Sequence, residues 1–138
     1  MIDIPKLTEE LKCDEGFRDK VYKCSASKLT IGYGFNLEDN SFPERIAADL
    51  LSHNIGQCIA ECENFVWFYS LSPVRKRVII NMVFNLGATG VAKFKKMIAA
   101  IEAGDWDEAA NQMQDSKWYN DVGFRAVRLI NMMRSDEA

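Results

Sequence analysis

Histidine occurs only once among the 138 residues and cysteine only four times, and each scarcity removes a class of function. With His53 alone, in the middle of a helical stretch, neither a histidine-rich zinc site nor a Ser, His, Asp triad can be assembled. His53 therefore reads as a structural residue, and no metal or cofactor is expected. The cysteines at 13, 24, 58 and 62 fit neither a dense disulfide framework nor the paired CxxC spacing of a zinc site, so free thiols in a reducing cytoplasm are expected. Cys58 and Cys62 share a helix face one turn apart and could bind a metal or bridge two chains, although helix-face thiols are more often simply half-buried. No stretch approaches the roughly 20 apolar residues of a membrane span. The opening MIDIPKLTEELK carries three acids and two lysines where a signal peptide would carry an apolar run. The expectation is a monomer made in the cytoplasm, with no stable membrane insertion and a single domain large enough to bury its own core. There is no internal repeat and no low-complexity segment.

The net charge of -3 leaves no global basic surface for nucleic acid, and none is expected as a partner. Acids are missing altogether from one stretch. Between Pro73 and Lys96 stand Arg75, Lys76, Arg77, Lys93, Lys95 and Lys96 with no aspartate or glutamate, which suits either a polyanionic partner or a plain solvated helix face.

What is present is a change of period along the chain. Ile4, Leu7 and Leu11 predict a short helix from about Asp3 to Gly16, which leaves Glu15 at its end. Residues Phe17 to Tyr22 and Leu29 to Phe35 are rich in β-branched and aromatic types and flank the turn-like Ser25 to Lys28, so they predict a hairpin, with a third strand near Leu37. Gly32 and Gly34 weaken a strand and mark a place of close approach. Ser41, Pro43 and Glu44 then resemble a capping box, followed by Ile46, Leu50, Leu51, Ile55 and Ile59 at helical spacing. Ser72 and Pro73 open another helix, whose Val74, Val78, Ile79, Met82, Val83 and Leu86 are apolar over so broad a face that it should be the buried centre. Further helices are predicted over Val91 to Glu102, Trp106 to Gln114 and Phe124 to Arg134, with a short turn around Trp118. The class is α+β: a small hairpin lobe over about residues 15–40, a connecting helix over about 43–64, and a mainly helical lobe over about 65–138.

Glu15, Cys24 and Thr30 stand with eight and five residues between them, a carboxylate at a helix end followed by a thiol and a hydroxyl on a hairpin. The spacing alone proves little. Together with CDEGFRDKVYKC, LTIGYGFNL, RVIINMVFNLGATGVAKF, GDWDEAANQM and SKWYNDVGFRAVRLI, however, the chain resembles the phage-type lysozymes, glycoside hydrolase family 24. These segments cover most of residues 11 to 134 and share the family's order and nearly its spacing. The resemblance implies a lysozyme-like fold and an endolysin muramidase that hydrolyses the β-1,4 bond between N-acetylmuramic acid and N-acetylglucosamine in peptidoglycan.

That chemistry needs a proton for the leaving oxygen and a nucleophile or water for the anomeric carbon, normally supplied by two carboxylates. The resemblance gives Glu15 the role of general acid. Cys24 stands where the family most often has aspartate, and three readings stay open: a general base, a group that orients a water held by Thr30, or an inert thiol in a catalytically silent peptidoglycan-binding homologue. Asp14 and Asp19 lie close in sequence and could be mistaken for the second carboxylate, but Asp19 falls on the strand at the wrong offset from Glu15. The resemblance also places Phe84 and Asn85 along the cleft as substrate-binding residues, with core packing a close alternative for the phenylalanine. Arg125 matches an arginine that approaches the acid. Phe35 occupies a position that is frequently histidine, so a salt link of some relatives is missing. Trp67, Trp106 and Trp118 read as core or rim. An enzyme of this kind would collect in an infected host's cytoplasm and reach the wall once the inner membrane is opened.

Overall fold

Asp3 starts the first helix as its position predicts: its carboxylate accepts the Lys6 N–H, and Pro5 fits the first turn, where its missing N–H costs no hydrogen bond. This helix, α1 (Ile4–Glu15), stops at Gly16, which takes φ 69° and ψ 147°, a region open to glycine and almost no other residue. The computed structural model describes all 138 residues and separates them into two compact units, Met1–Asp49 and Leu50–Ala138.

In the first unit α1 leads into a three-stranded antiparallel meander of β1 (Arg18–Lys23), β2 (Leu29–Gly32) and β3 (Phe35–Asn36). Tyr22 pairs with Thr30 and Lys23 with Leu29, and the register shifts between Arg18 and Tyr22, a bulge that takes Asp19 out of the regular ladder. The single strand expected from Leu29 to Phe35 is in fact two. Gly32 and Gly34, at φ 70° and 69°, turn the chain back around Tyr33, so the third strand expected near Leu37 falls at Phe35–Asn36, and the Leu37 N–H just after it still donates to the Leu29 carbonyl at 2.8 Å. Phe35, which lacks a histidine's charge, packs against Phe42 at 6.2 Å between ring centroids.

The next helix, α2 (Glu44–Cys62), crosses the boundary between the units. The predicted capping box does not form. Pro43 disfavours helical backbone at Phe42 before it, so the helix cannot begin at Ser41, and the Pro43 carbonyl accepts the N–H groups of Ile46 and Ala47 instead. His53, read as structural, is exposed on this helix.

The second unit continues with a 3₁₀ segment, Val66–Ser70, that the periodicity did not announce, and then α3 (Pro73–Ala92). Ser72 caps α3 by accepting the Arg75 N–H, and Gly87 at φ 79° and ψ 160° breaks it near its end. Because residues 88–92 complete the segment after that break, the helix expected from Val91 starts later, as α4 (Lys95–Glu102). Asp105 accepts the Glu108 N–H at the start of α5 (Trp106–Gln114). The turn expected around Trp118 is a helix, α6 (Lys117–Val122), capped by Ser116, and α7 (Phe124–Ser135) closes the chain. Val78, Ile79, Met82, Met97, Ile101, Met113, Leu129 and Met133 are buried, each worth about 1.5–3 kcal/mol on removal from water. Ala109 and Ala110, both fully buried, keep side-chain bulk out of the seam on α5. No helix is long and apolar enough to cross a membrane.

Candidate active site

Glu15 is the last residue of α1, and its side chain is exposed. The β2–β3 turn brings Gly34 against it so closely that a Cβ built there would lie 2.6 Å from Glu15 Oε2. The same turn is tied to α1 by Tyr33, whose ring lies 5.5 Å from that of Phe17 and under the ammonium of Lys12 at 5.9 Å.

Cys24 closes β1 and opens the loop to β2. Its N–H donates to the Lys28 carbonyl at 2.9 Å, the Ser27 N–H returns to the Cys24 carbonyl at 2.8 Å, and Ser27 completes the curl at φ 62°. This tight loop turns backbone N–H groups toward the sulfur. The Lys28 N–H foremost, then that of Ala26, hold the Cys24 thiol below its ordinary pKa; the Thr30 hydroxyl adds to the effect and partial burial opposes it. Thr30, across from Tyr22 in the ladder, is 2% exposed, and its hydroxyl donates to the Lys28 carbonyl at 2.9 Å. A hydroxyl has one proton and two lone pairs, so Thr30 gives its proton either to the Lys28 carbonyl or to the sulfur, and in the first state it remains free to accept.

The loop after β3 braces this corner. Asn36 Oδ1 accepts the N–H groups of Glu38 and Asp39, its Nδ2 donates to Asp39 Oδ2 at 3.0 Å, and Asp39 reaches the Lys28 ammonium at 3.5 Å. Glu38 Oε2 accepts the Leu29 N–H at 2.6 Å. The backbone that faces Cys24 is thus held from both sides.

Two of the expected substrate residues meet in the helical unit. Phe84 is 44% exposed, which removes the core reading, and it walls a groove of about 520 Å³ with Leu51, Ile55, Ile59 and Ile80. Arg125 lines the same groove, its Nε donating to Asn81 Oδ1 at 2.8 Å and its Nη2 to the Asn81 carbonyl at 3.3 Å. Asn85 is not part of that wall: successive helix residues point roughly 100° apart, and its Oδ1 accepts the Trp118 Nε1–H at 2.9 Å. An apolar wall with a fixed amide and guanidinium suits a sugar bearing polar substituents.

A family model described as phage lysozyme matches residues 12–137. The chain belongs to the phage lysozyme family. Among its relatives, probable T4-type lysozyme 2 and probable T4-type lysozyme 1 of Dictyostelium discoideum are 27% identical over 163 residues and 29% over 164, each match spanning 96% of this chain and 95% of the relative. The pre-baseplate central spike protein Gp5 of Enterobacteria phage T4 is 31% identical over 154 residues, covering 89% of this chain and 26% of that protein.

As a phage lysozyme the chain is a peptidoglycan hydrolase, a glycosidase of the lysozyme type. Sequence reasoning missed Asn81, although it lies three residues before Phe84, and so on one helix face with it. It also missed the N–H groups of Lys28 and Ala26, which no side-chain pattern reveals. Cys58 and Cys62 play no part at either place: burial raises both thiol pKa values, that of Cys62 to about 12, and no cluster of metal-ligating side chains gathers around them.

The lowered thiol pKa has a measurable sign. A depressed pKa means more thiolate at neutral pH than the few per cent of an ordinary cysteine. Alkylation of Cys24 by iodoacetamide, followed by peptide mass spectrometry, should rise with pH and level off at lower pH than for free cysteine. Cys62 should stay unmodified in the native protein. Coincident profiles for Cys24 and free cysteine would remove the N–H cradle from the account.

Proposed function

We propose that this phage lysozyme is a muramidase, cutting the β-1,4 bond between N-acetylmuramic acid and N-acetylglucosamine, with Glu15 as general acid and Cys24 and Thr30 managing the attacking water. The observation that carries the reading is the loop of Cys24: where a second carboxylate is usual, a thiol sits among N–H groups that favour its anion, beside a hydroxyl with lone pairs to spare. Glu15 gives its proton to the bridging oxygen as the bond from that oxygen to the anomeric carbon breaks. A water donates one proton to Thr30 Oγ1 as a hydrogen bond and yields the other to the Cys24 thiolate, while its oxygen bonds to the anomeric carbon. Glu15 is then reprotonated from solvent and the thiol loses its proton to solvent, which restores the starting state. The likeness to T4-type lysozymes does not favour a catalytically silent glycan binder, the alternative suggested by the missing aspartate.

In a phage's life this activity fits an endolysin: a monomer accumulates in the host cytoplasm, meets the wall after the inner membrane is opened, and lyses the cell. Phe84, Asn81 and Arg125 offer the glycan an apolar wall and two polar anchors, and the NH₂ group of Asn85 is the part of that amide not engaged by Trp118.

Attack by a water from the far face inverts the anomeric centre. Purified peptidoglycan strands should therefore give reducing N-acetylmuramic acid ends that appear first as the α anomer in proton NMR, before mutarotation. Cys24→Asp should keep activity and Cys24→Ala should lose about 100-fold in kcat, as for removal of a proton-accepting group. Reducing ends on N-acetylglucosamine would overturn the muramidase assignment. An initial β anomer, or full activity in Cys24→Ala, would overturn the water-handling roles.

A further inference from the structure

A side chain at position 34 would collide with the one carboxyl on which the proposed reaction depends. A Cβ there would stand 2.6 Å from Glu15 Oε2, 3.0 Å from its Cδ and 3.4 Å from its Cγ, against an ordinary carbon–oxygen approach well beyond 3 Å. The atoms in the way are the far end of a flexible side chain that is itself exposed, so the fold can escape the clash simply by swinging the Glu15 carboxyl aside. The damage would therefore fall on the position of the acid and not on folding.

We infer that Gly34 is a positioning residue for Glu15, its bare Cα forming the slot in which the carboxyl lies. The inference rests on the reading of Glu15 as general acid. The slot is held in place by its neighbours. Tyr33, one residue earlier, packs on Phe17 just beyond the end of α1 and under the ammonium of Lys12 in its last turn, so the turn that carries Gly34 is pinned to the helix that carries Glu15. Gly16, at φ 69° between Glu15 and Phe17, lets the chain leave the helix sharply enough for Phe17 to reach that ring.

Gly32 supplies an internal control. It lies two residues away at φ 70°, almost the value of Gly34, and a Cβ on it would meet nothing within 4 Å. Any residue but glycine suffers the same backbone strain at both positions, whereas the collision with Glu15 belongs to position 34 alone. Alanine tests strain and bulk together. Asparagine, which tolerates a positive φ better than other residues with a Cβ, tests bulk with less strain.

The experiment compares Gly34→Ala, Gly34→Asn, Gly32→Ala and Gly32→Asn for thermal unfolding and for steady-state kinetics on soluble peptidoglycan strands. The two alanine variants should lose similar amounts of Tm. In kcat they should part: misplacing a reacting group by about 1 Å can cost on the order of 100-fold, so both Gly34 variants should fall roughly 10- to 100-fold in kcat with KM nearly unchanged. Both Gly32 variants should stay within about threefold of the parent in kcat, because the strain there costs stability while the new Cβ meets nothing within 4 Å. Equal kcat losses at 32 and 34 would reduce the glycine to a backbone requirement and overturn the inference. A separate measurement does not depend on activity: a nuclear Overhauser contact between Glu15 Hγ and Gly34 Hα in the parent protein. Its absence would overturn the inference even if Glu15 is the acid. Full activity in Glu15→Gln, with that contact present, would instead sink the acid assignment and the catalytic meaning of the slot with it.

Discussion

Glutamine in place of Glu15 is expected to lower kcat on peptidoglycan roughly 1000-fold, in the middle of the range by which a positioned general acid accelerates a reaction. The amide has the carboxyl's shape but no proton to deliver, so KM should change little, as for a group that acts in the transition state. Stability should stay within about 0.5 kcal/mol of the parent, because the side chain is exposed and the substitution isosteric. Glu15→Asp is the informative companion. Withdrawing the carboxyl by one methylene leaves the acid but not its place, and a loss of roughly 100-fold is expected if place matters as much as the slot at Gly34 implies. A Glu15→Gln protein that keeps more than a tenth of the parental kcat while folded would remove Glu15 from the reaction.

Much of this architecture is legible in the residues because local signals and tertiary structure agree. Asp3 with Pro5, Ser72 with Pro73 and Asp105 with Glu108 each open a helix where the capping chemistry says they should. The apolar face of α3 is buried at Val78, Ile79, Met82 and Val83 as its breadth requires. Three of the failures share one cause, a backbone constraint that outweighs a side-chain pattern. Pro43 moves the start of α2 away from Ser41, the pair Gly32 and Gly34 splits what reads as one strand, and Gly87 delays α4. The helix at Lys117–Val122 is too short for apolar periodicity to announce, and its one local signal is the capping serine, Ser116.

The site was legible as a list of residue types and not as geometry. Glu15, Cys24 and Thr30 could be named from spacing and resemblance, yet what distinguishes this thiol is the N–H groups of Lys28 and Ala26, and any residue except proline carries an N–H. Likewise Phe84 and Arg125 line one groove, but the side chain that fixes the guanidinium, Asn81, reads on its own as one more polar residue on a helix. Function here is held by main-chain groups and by a missing side chain at Gly34, the two features that a string of residue types expresses least.

Arg75 reads in the sequence as one charge of a basic run, and it is the residue whose loss should cost the fold most among the charged ones. The residue is 8% exposed, and its guanidinium donates from Nε to the Met133 carbonyl at 2.8 Å and from Nη2 to the Arg134 carbonyl at 3.3 Å and lies 4.1 Å from the centre of the Trp106 ring. Those carbonyls belong to the last turn of α7, where no helical N–H is available to them. Asp136, in left-handed conformation just after the helix, pairs with Nη1 at 3.6 Å and accepts the Ser72 hydroxyl, so one arginine ties the start of α3 to the end of α7. In Arg75→Leu a buried acceptor is left bare, at about 1–3 kcal/mol, and the stacked cation is lost, at about 1–2 kcal/mol. The half-exposed pair with Asp136 adds less than about 1 kcal/mol. A total of roughly 3 kcal/mol should lower Tm by about 10 °C for a chain of this size. Arg75→Lys should recover less than half of that, since an ammonium keeps the charge but has neither the planar fork nor the stacking face. A lysine variant as stable as the parent would mean that the arginine is only a solvated charge. Because this cation is turned inward while Arg77, Lys93, Lys95 and Lys96 of the same basic run are exposed, any ionic-strength dependence of lysis should survive in Arg75→Leu at temperatures where it is folded.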